Sequence, residues 1–193
     1  MNAALAAELV ALIARDDDTR AQLVADGTLH EGYHPAMEAV HRANAVRLRD
    51  LVDANGWPGR AQVGAEAASA AWRIVQHAIG EPAFLRAMLP LLAEAAARGD
   101  AEPGEVAMLD DRIRVFEGRL QRYGTQYDWS RDGEALELMI GVEEPDTVDE
   151  RRAAVGLPPL AWRRPPPPGE RPPSDPAAHA RVAEAWARAV GWR

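Results

Sequence analysis

Apolar residues recur at helical spacing along most of this chain. Leu5, Leu9, Leu12 and Ile13 fall on one face of a first helix over residues 2 to 15, with Asn2 placed to cap it. A short second helix is expected after Asp17, ending at Asp26-Gly27. A third opens at Pro35, whose fixed φ suits a first helical turn, and runs through Val40, Leu48, Leu51 and Val52 to the terminator Asn55-Gly56. Trp57-Pro58-Gly59 reads as a turn. The fourth helix, 65 to 79, closed by Gly80, carries small residues on nearly every face, so it is expected at the centre with other helices packed closely on it. Pro82 opens a fifth helix with Phe84, Leu85, Met88, Leu91 and Leu92, ending near Arg98-Gly99 and kinked at Pro90. The sixth spans Pro103 to Tyr123-Gly124, with Leu109, Ile113, Phe116 and Leu120 on the core side and Asp111, Arg114, Gly118 and Gln121 opposite.

Beyond Gly124 the period shortens. Residues 127 to 129 and 135 to 140 flank Arg131-Asp132-Gly133, the signature of a hairpin that the helices must support. A short helix over 148 to 155 is closed by Gly156, and the proline-rich stretch 158 to 173 reads as an extended strap or linker. Asp175 and Pro176 start a last helix with Val182, Trp186 and Val190 on one stripe, which docks back or meets a partner. The fold class is therefore mainly α: a compact multi-helix domain over 1–160, with one small β-hairpin after the sixth helix, then a strap over 161–174 and a C-terminal helix over 175–193.

Composition narrows the chemistry more by what is missing. The chain has no Cys, which excludes disulfides, thiolate metal sites and a thiol nucleophile. It also has no Lys, so a lysine Schiff base and ordinary pyridoxal phosphate catalysis are excluded. The net charge of -8, with Arg interleaved among Asp and Glu, lacks the basic stripe of a nucleic-acid binder. No stretch approaches the roughly 20 uninterrupted apolar residues of a membrane span, and the first helix, interrupted by Glu8, does not read as a signal peptide. A cytoplasmic protein is expected, with no nucleic-acid or membrane partner.

Five ordered motifs stand out: Gly56-Trp57-Pro58 with Val63-Gly64; Trp72 with Val75-Gln76-His77-Ala78; Asp111-Arg112; Gly118 with Gln121-Arg122-Tyr123-Gly124-Thr125-Gln126; and Arg151-Arg152 with Val155-Gly156-Leu157. Together they resemble a widespread bacterial domain family of unknown function, over about residues 34–160. The resemblance implies that these polar residues belong to the family's signature, and it carries no reaction with it. The strap and last helix lie outside it.

The residues themselves supply the chemistry. His77, beside Gln76 on the central helix, is the natural proton carrier near neutral pH. Asp111 is the candidate to orient it or share the proton, while Arg112, about 100° away on the same helix, would hold a carboxylate or an anionic ligand. Gln121, Tyr123 and Gln126 offer amides and a phenol to position a polar substrate, with Gly124 as the helix cap. Asn44 would turn toward this cluster or bond to the Trp57-Pro58 turn. The leading expectation is a small enzyme performing acid–base chemistry, hydrolysis or a related step, on a polar small molecule or peptide group. A non-catalytic ligand- or protein-binding module is the alternative, engaging a partner through the strap or the terminal helix. No cofactor is expected, except that a divalent metal remains open at His34, Glu38 and His41, spaced i, i+4 and i+7. The rise of an α-helix sets His34 and His41 about 10 Å apart along its axis, which argues against one ion held by all three. The dispersed Trp residues read as core and strap packing, and the run 165–168 as a passive strap.

Overall fold

The computed structural model describes residues 1–29, 33–166 and 172–193. The chain forms two compact units, Met1–Glu105 and Val106–Arg193. In the first, α1 (Ala3–Ala25) is one helix where two were expected. The run 15 to 20 looks like a break because it is so polar, but Arg15, Asp17, Asp18 and Arg20 simply face solvent. The inward stripe continues through it: Leu5, Leu9, Leu12, Asp16 and Leu23 are all buried, so an aspartate occupies a position where the period calls for an apolar side chain. The Asn2 side chain caps the helix by accepting from Leu5 N at 3.1 Å.

Next come α2 (Pro35–Asn55), the short α3 (Arg60–Val63), which the sequence did not suggest, α4 (Ala65–His77) and α5 (Pro82–Ala97), with Pro90 inside it. Helices α1, α2 and α4 pack on one another and α5 packs on α4. Ala67, Ala70 and Ala71 of α4 are almost wholly buried, as expected of a helix on which others close in. On α2 the inward stripe is Met37, His41, Asn44, Ala45, Leu48, Leu51 and Val52, so here too polar residues sit on the core face. Asn44 stitches α2 to α1 by donating Nδ2 to Leu12 O at 3.0 Å, one turn before Asp16.

The boundary between the units falls within α6 (Pro103–Phe116), which stops well short of the expected Tyr123. The cause is Gly118, left-handed at φ 77°. Its N–H bonds to Val115 O at 3.0 Å and that of Arg119 to Arg114 O at 2.8 Å, a Schellman closure. Gly124 is therefore not a helix cap, although it too has positive φ (66°), and Leu120, past the helix end, is exposed rather than core. Strands β1 (Tyr127–Trp129) and β2 (Leu136–Leu138) form the hairpin with Tyr127 opposite Leu138. A third strand, β3 (Arg163–Arg164), comes from the segment expected to be only a strap and pairs antiparallel with β2, making the order β1-β2-β3. Helix α7 (Val148–Ala154) precedes it. Helix α8 (Pro176–Ala189) docks within this unit: Ala187 and Trp192 are buried, and the rings of Trp186 and Trp192 lie 5.9 and 5.2 Å from that of Phe116. No helix among the described residues is long and apolar enough to cross a membrane.

Candidate functional site

The polar residues on the inward stripes of the first unit converge. Asp16 of α1, His41 of α2 and His77 at the end of α4 offer ligand atoms that all lie within 4.8 Å of one another. Asp16 Oδ2 is 2.9 Å from His77 Nδ1 and 3.2 Å from His41 Nε2, and the two imidazole centroids are 5.4 Å apart. The burial is graded: the Asp16 side chain is 1% exposed, that of His41 10% and that of His77 31%, so His77 is the face the cluster turns to solvent. The other Asp16 oxygen, Oδ1, is buried and has no hydrogen-bond partner among the described residues. Such an orphaned oxygen is costly unless something comes to satisfy it.

Electrostatics keep Asp16 anionic. Burial pushes its carboxyl upward, but hydrogen bonding and charge from His41 and His77 prevail and hold it well below the usual carboxylate range. A carboxylate can only accept, so in the metal-free protein the ring protons suit the nitrogens that face it: Nδ1 of His77, in a hydrogen bond, and Nε2 of His41, in a 3.2 Å contact that is not aligned as a hydrogen bond. Behind His41, the Tyr33 hydroxyl stands 2.8 Å from Nδ1. Burial, with Glu38 and Asp16 adding to it, raises the Tyr33 pKa, so the phenol keeps its proton.

The residues expected to form the site are distributed differently. His77 is in the cluster, and the buried Gln76 precedes it on α4. Of the trio His34, Glu38 and His41, only His41 enters it. His34 caps α2, its Nδ1 accepting from Ala36 N at 3.1 Å, and Glu38 pairs with Arg42 at 3.0 Å. Asn44, bonded to the α1 backbone, meets neither the expected cluster nor the Trp57-Pro58 turn.

Asp111 belongs to the second unit, with partners of its own. Its oxygens accept from the backbone N–H groups of Arg122 (2.6 Å), Tyr123 (3.1 Å) and Thr125 (3.0 Å) and from the Thr125 hydroxyl (3.0 Å). Burial nonetheless pushes its carboxyl above the ordinary value, against those hydrogen bonds. Gln121 is fully buried and turned inward: Nε2 donates to Gln126 O and Ile140 O, and Oε1 accepts from Gln126 N at 2.8 Å. The Tyr123 and Gly124 carbonyls accept from the buried Arg152 guanidinium. Gly124 itself is tightly enclosed, since a Cβ there would stand 2.7 Å from Leu160. Gln126 Nε2 reaches the Thr125 hydroxyl at 3.0 Å. Burial holds the Arg112 guanidinium down at about 10. The broad groove of this unit is bordered by Phe116, Trp129, Met139 and Ala183, and none of Asp111, Gln121, Tyr123 and Gln126 lines it.

Asp16 and Tyr33 were not foreseen. Asp16 was legible in principle, as a charged residue in step with Leu5, Leu9 and Leu12; Tyr33, in a loop ahead of α2, gave no periodic signal.

Fold and site together define a class: a mainly helical protein whose first unit encloses a carboxylate shared by imidazoles from neighbouring helices. The chain belongs to the family of unknown function DUF6624, whose model matches residues 3–163. That span reaches farther toward the N-terminus than the resemblance at about 34–160 and takes in Asp16. No curated protein and no solved structure matches the chain.

Proposed function

We propose that this protein is a small hydrolytic enzyme whose centre is a divalent transition-metal ion held by Asp16, His41 and His77. The observation that carries the reading is a buried carboxylate whose Oδ2 faces two imidazole nitrogens drawn from different helices, while its Oδ1 has no hydrogen-bond partner among the described residues. The donor set fits such an ion. Bonds of about 2.0–2.2 Å at tetrahedral angles place ligand atoms roughly 3.3–3.6 Å apart. The 2.9 and 3.2 Å edges at Asp16 Oδ2 come close to that before any adjustment. Two imidazoles and one carboxylate leave coordination positions open, the pattern of a catalytic rather than a purely structural site. An ion there would supply an activated water and polarise the bond to be cleaved.

The chain's own residues supply the rest. Asp16 contributes the single negative charge from inside the core, so the ligand set enters already fixed by helix packing. His77, on the exposed side, marks where a polar substrate approaches. With no Cys and no Lys, thiol and Schiff-base routes are closed, and in this reading water is the nucleophile. In this reading Asp111 and Gln121 to Gln126 hold a loop in place and take no part in the reaction.

The test is an assay of chelator-stripped protein against ester, phosphoester and amide substrates, before and after adding zinc, manganese or cobalt. Metal-restored turnover that vanishes in a folded His77→Ala variant is the expected result. Stoichiometric metal uptake without turnover on any of them would point to a binding module instead.

A further inference from the structure

We propose that Tyr33 is the positioning residue of this centre: its hydroxyl donates to Nδ1 of His41 in the metal-free protein and accepts from that nitrogen once Nε2 carries the ion. The inference rests on the metal reading above and deepens it.

Proton positions require the reversal. While Asp16 faces His41 Nε2 without a metal, that nitrogen carries the proton, so Nδ1 presents a lone pair to the Tyr33 hydroxyl at 2.8 Å. A metal on Nε2 moves the proton to Nδ1, which then needs an acceptor at the same place. A hydroxyl can serve both states, because it donates or accepts by rotating about its C–O bond. A carboxylate there could only accept. Two carboxylates flanking the ring would hold it as the imidazolium, with Nε2 protonated toward Asp16, and an incoming ion would have to displace that proton. A phenol also lends the imidazole less electron density than a carboxylate would, which leaves the ion more electron-withdrawing and its bound water more acidic.

The packing holds Tyr33 to this task. Its ring stacks on His41, with centroids 5.7 Å apart and planes 26° from parallel. Gly80, in the turn after α4, lies beside it: a Cβ there would stand in van der Waals contact, 3.4 Å from the Tyr33 ring. Arg42 spans the two segments beside it, bonding Glu38 of α2 at 3.0 Å and Glu81 of the turn at 2.9 Å. Burial does most to raise the Tyr33 pKa; among the described residues Glu38, Asp16 and Glu81 add to it and Arg42 opposes it.

Two measurements test the proposal. In the first, zinc affinity is read by competition with a chromophoric chelator for the full-length wild type and for Tyr33→Phe, which removes only the hydroxyl. The expected result is a Kd raised about tenfold to a hundredfold, the usual cost of losing the partner behind a ligating imidazole. In the second, nitrogen-15 spectra of wild-type His41 are recorded with and without zinc. Nδ1 should be unprotonated without metal and protonated with it, and this readout does not depend on whether the variant folds. A folded Tyr33→Phe that binds zinc as tightly as wild type overturns the proposal, as does a His41 that keeps the same protonated nitrogen in both states. Zinc uptake equal in both proteins removes Tyr33 and leaves the metal centre standing. A wild type that takes up no zinc removes the centre itself.

Discussion

The two units bury one aspartate each in opposite ways, and the contrast separates chemistry from architecture. Asp111 is surrounded by donors of the backbone and of Thr125, which cannot change protonation state near neutral pH; each oxygen accepts at least one of them, and the arrangement fixes the loop that follows α6. Asp16 is faced through Oδ2 by two imidazoles, and its Oδ1 has no hydrogen-bond partner among the described residues. A saturated carboxylate has nothing left to offer a ligand. An unsaturated one buried beside exchangeable protons does, and it is the aspartate the motifs did not single out.

The contrast is broken most directly by the same substitution at both positions. Asp111→Asn turns an amide N–H2 toward backbone N–H groups, leaving buried donors unmet at about 1–3 kcal/mol each, roughly 3–5 kcal/mol in all. In a protein of this size that lowers the melting temperature by about ten degrees, read by circular dichroism. Asp16→Asn should lower it by only a few degrees, because imidazoles can shift tautomer to meet an amide. Comparable losses at both positions would erase the distinction.

Metal affinity should reverse the ranking. Removing a ligand by Asp16→Asn, His41→Ala or His77→Ala is expected to weaken zinc binding at least a hundredfold, more than losing a partner behind a ligand does, whereas any folded Asp111 variant should bind zinc as wild type does. Equilibrium dialysis with elemental analysis reads both.

A smaller effect lies in the acid limb. The folded-state pKa of Asp16 is depressed, so its contribution to stability is complete above the unfolded value of about 3.9 and is lost as pH falls through the folded value. Asp111, whose pKa is raised, works with the opposite sign, favouring the folded state as pH drops into that range. In the presence of chelator, Asp16→Asn should therefore lose less melting temperature than wild type on acidification below about pH 4. The smallest change concerns the end of α6: Gly118→Ala should cost about 1–2 kcal/mol in thermal melts, because a Cβ is disfavoured at φ 77°.

Much of the fold could be read from helical spacing and from Pro and Gly. α2, α4, α5 and α8 begin where Pro35, Ala65, Pro82 and Pro176 indicate, and the hairpin falls around Arg131-Asp132-Gly133. The errors share a cause. The polar run within α1 looked like a break and the long run of α6 looked continuous, because local composition was weighted above period in the first and above a single left-handed glycine in the second. The same weighting hid the cluster. His77 stands out beside Gln76 on the helix expected to be central, but Asp16 sits among other aspartates and discloses itself only by phase. His41 groups in sequence with His34 and Glu38 of its own helix, whereas the structure sets it beside Asp16 and His77, since residues along one helix are visible in sequence and residues facing it from another helix are not. The motif-rich 121–126 segment drew attention as chemistry, whereas its amides and backbone are engaged with one another.

Whether Asp16, His41 and His77 form one metal centre can be read from the visible absorption of bound cobalt. Chelator-stripped protein titrated with cobalt(II) should develop d–d bands that saturate at one equivalent, with the intensity of a four- or five-coordinate ion. Folded His41→Ala and His77→Ala should show only the faint spectrum of the hydrated ion. A wild-type protein that gives that same faint spectrum at every cobalt concentration would contradict the account.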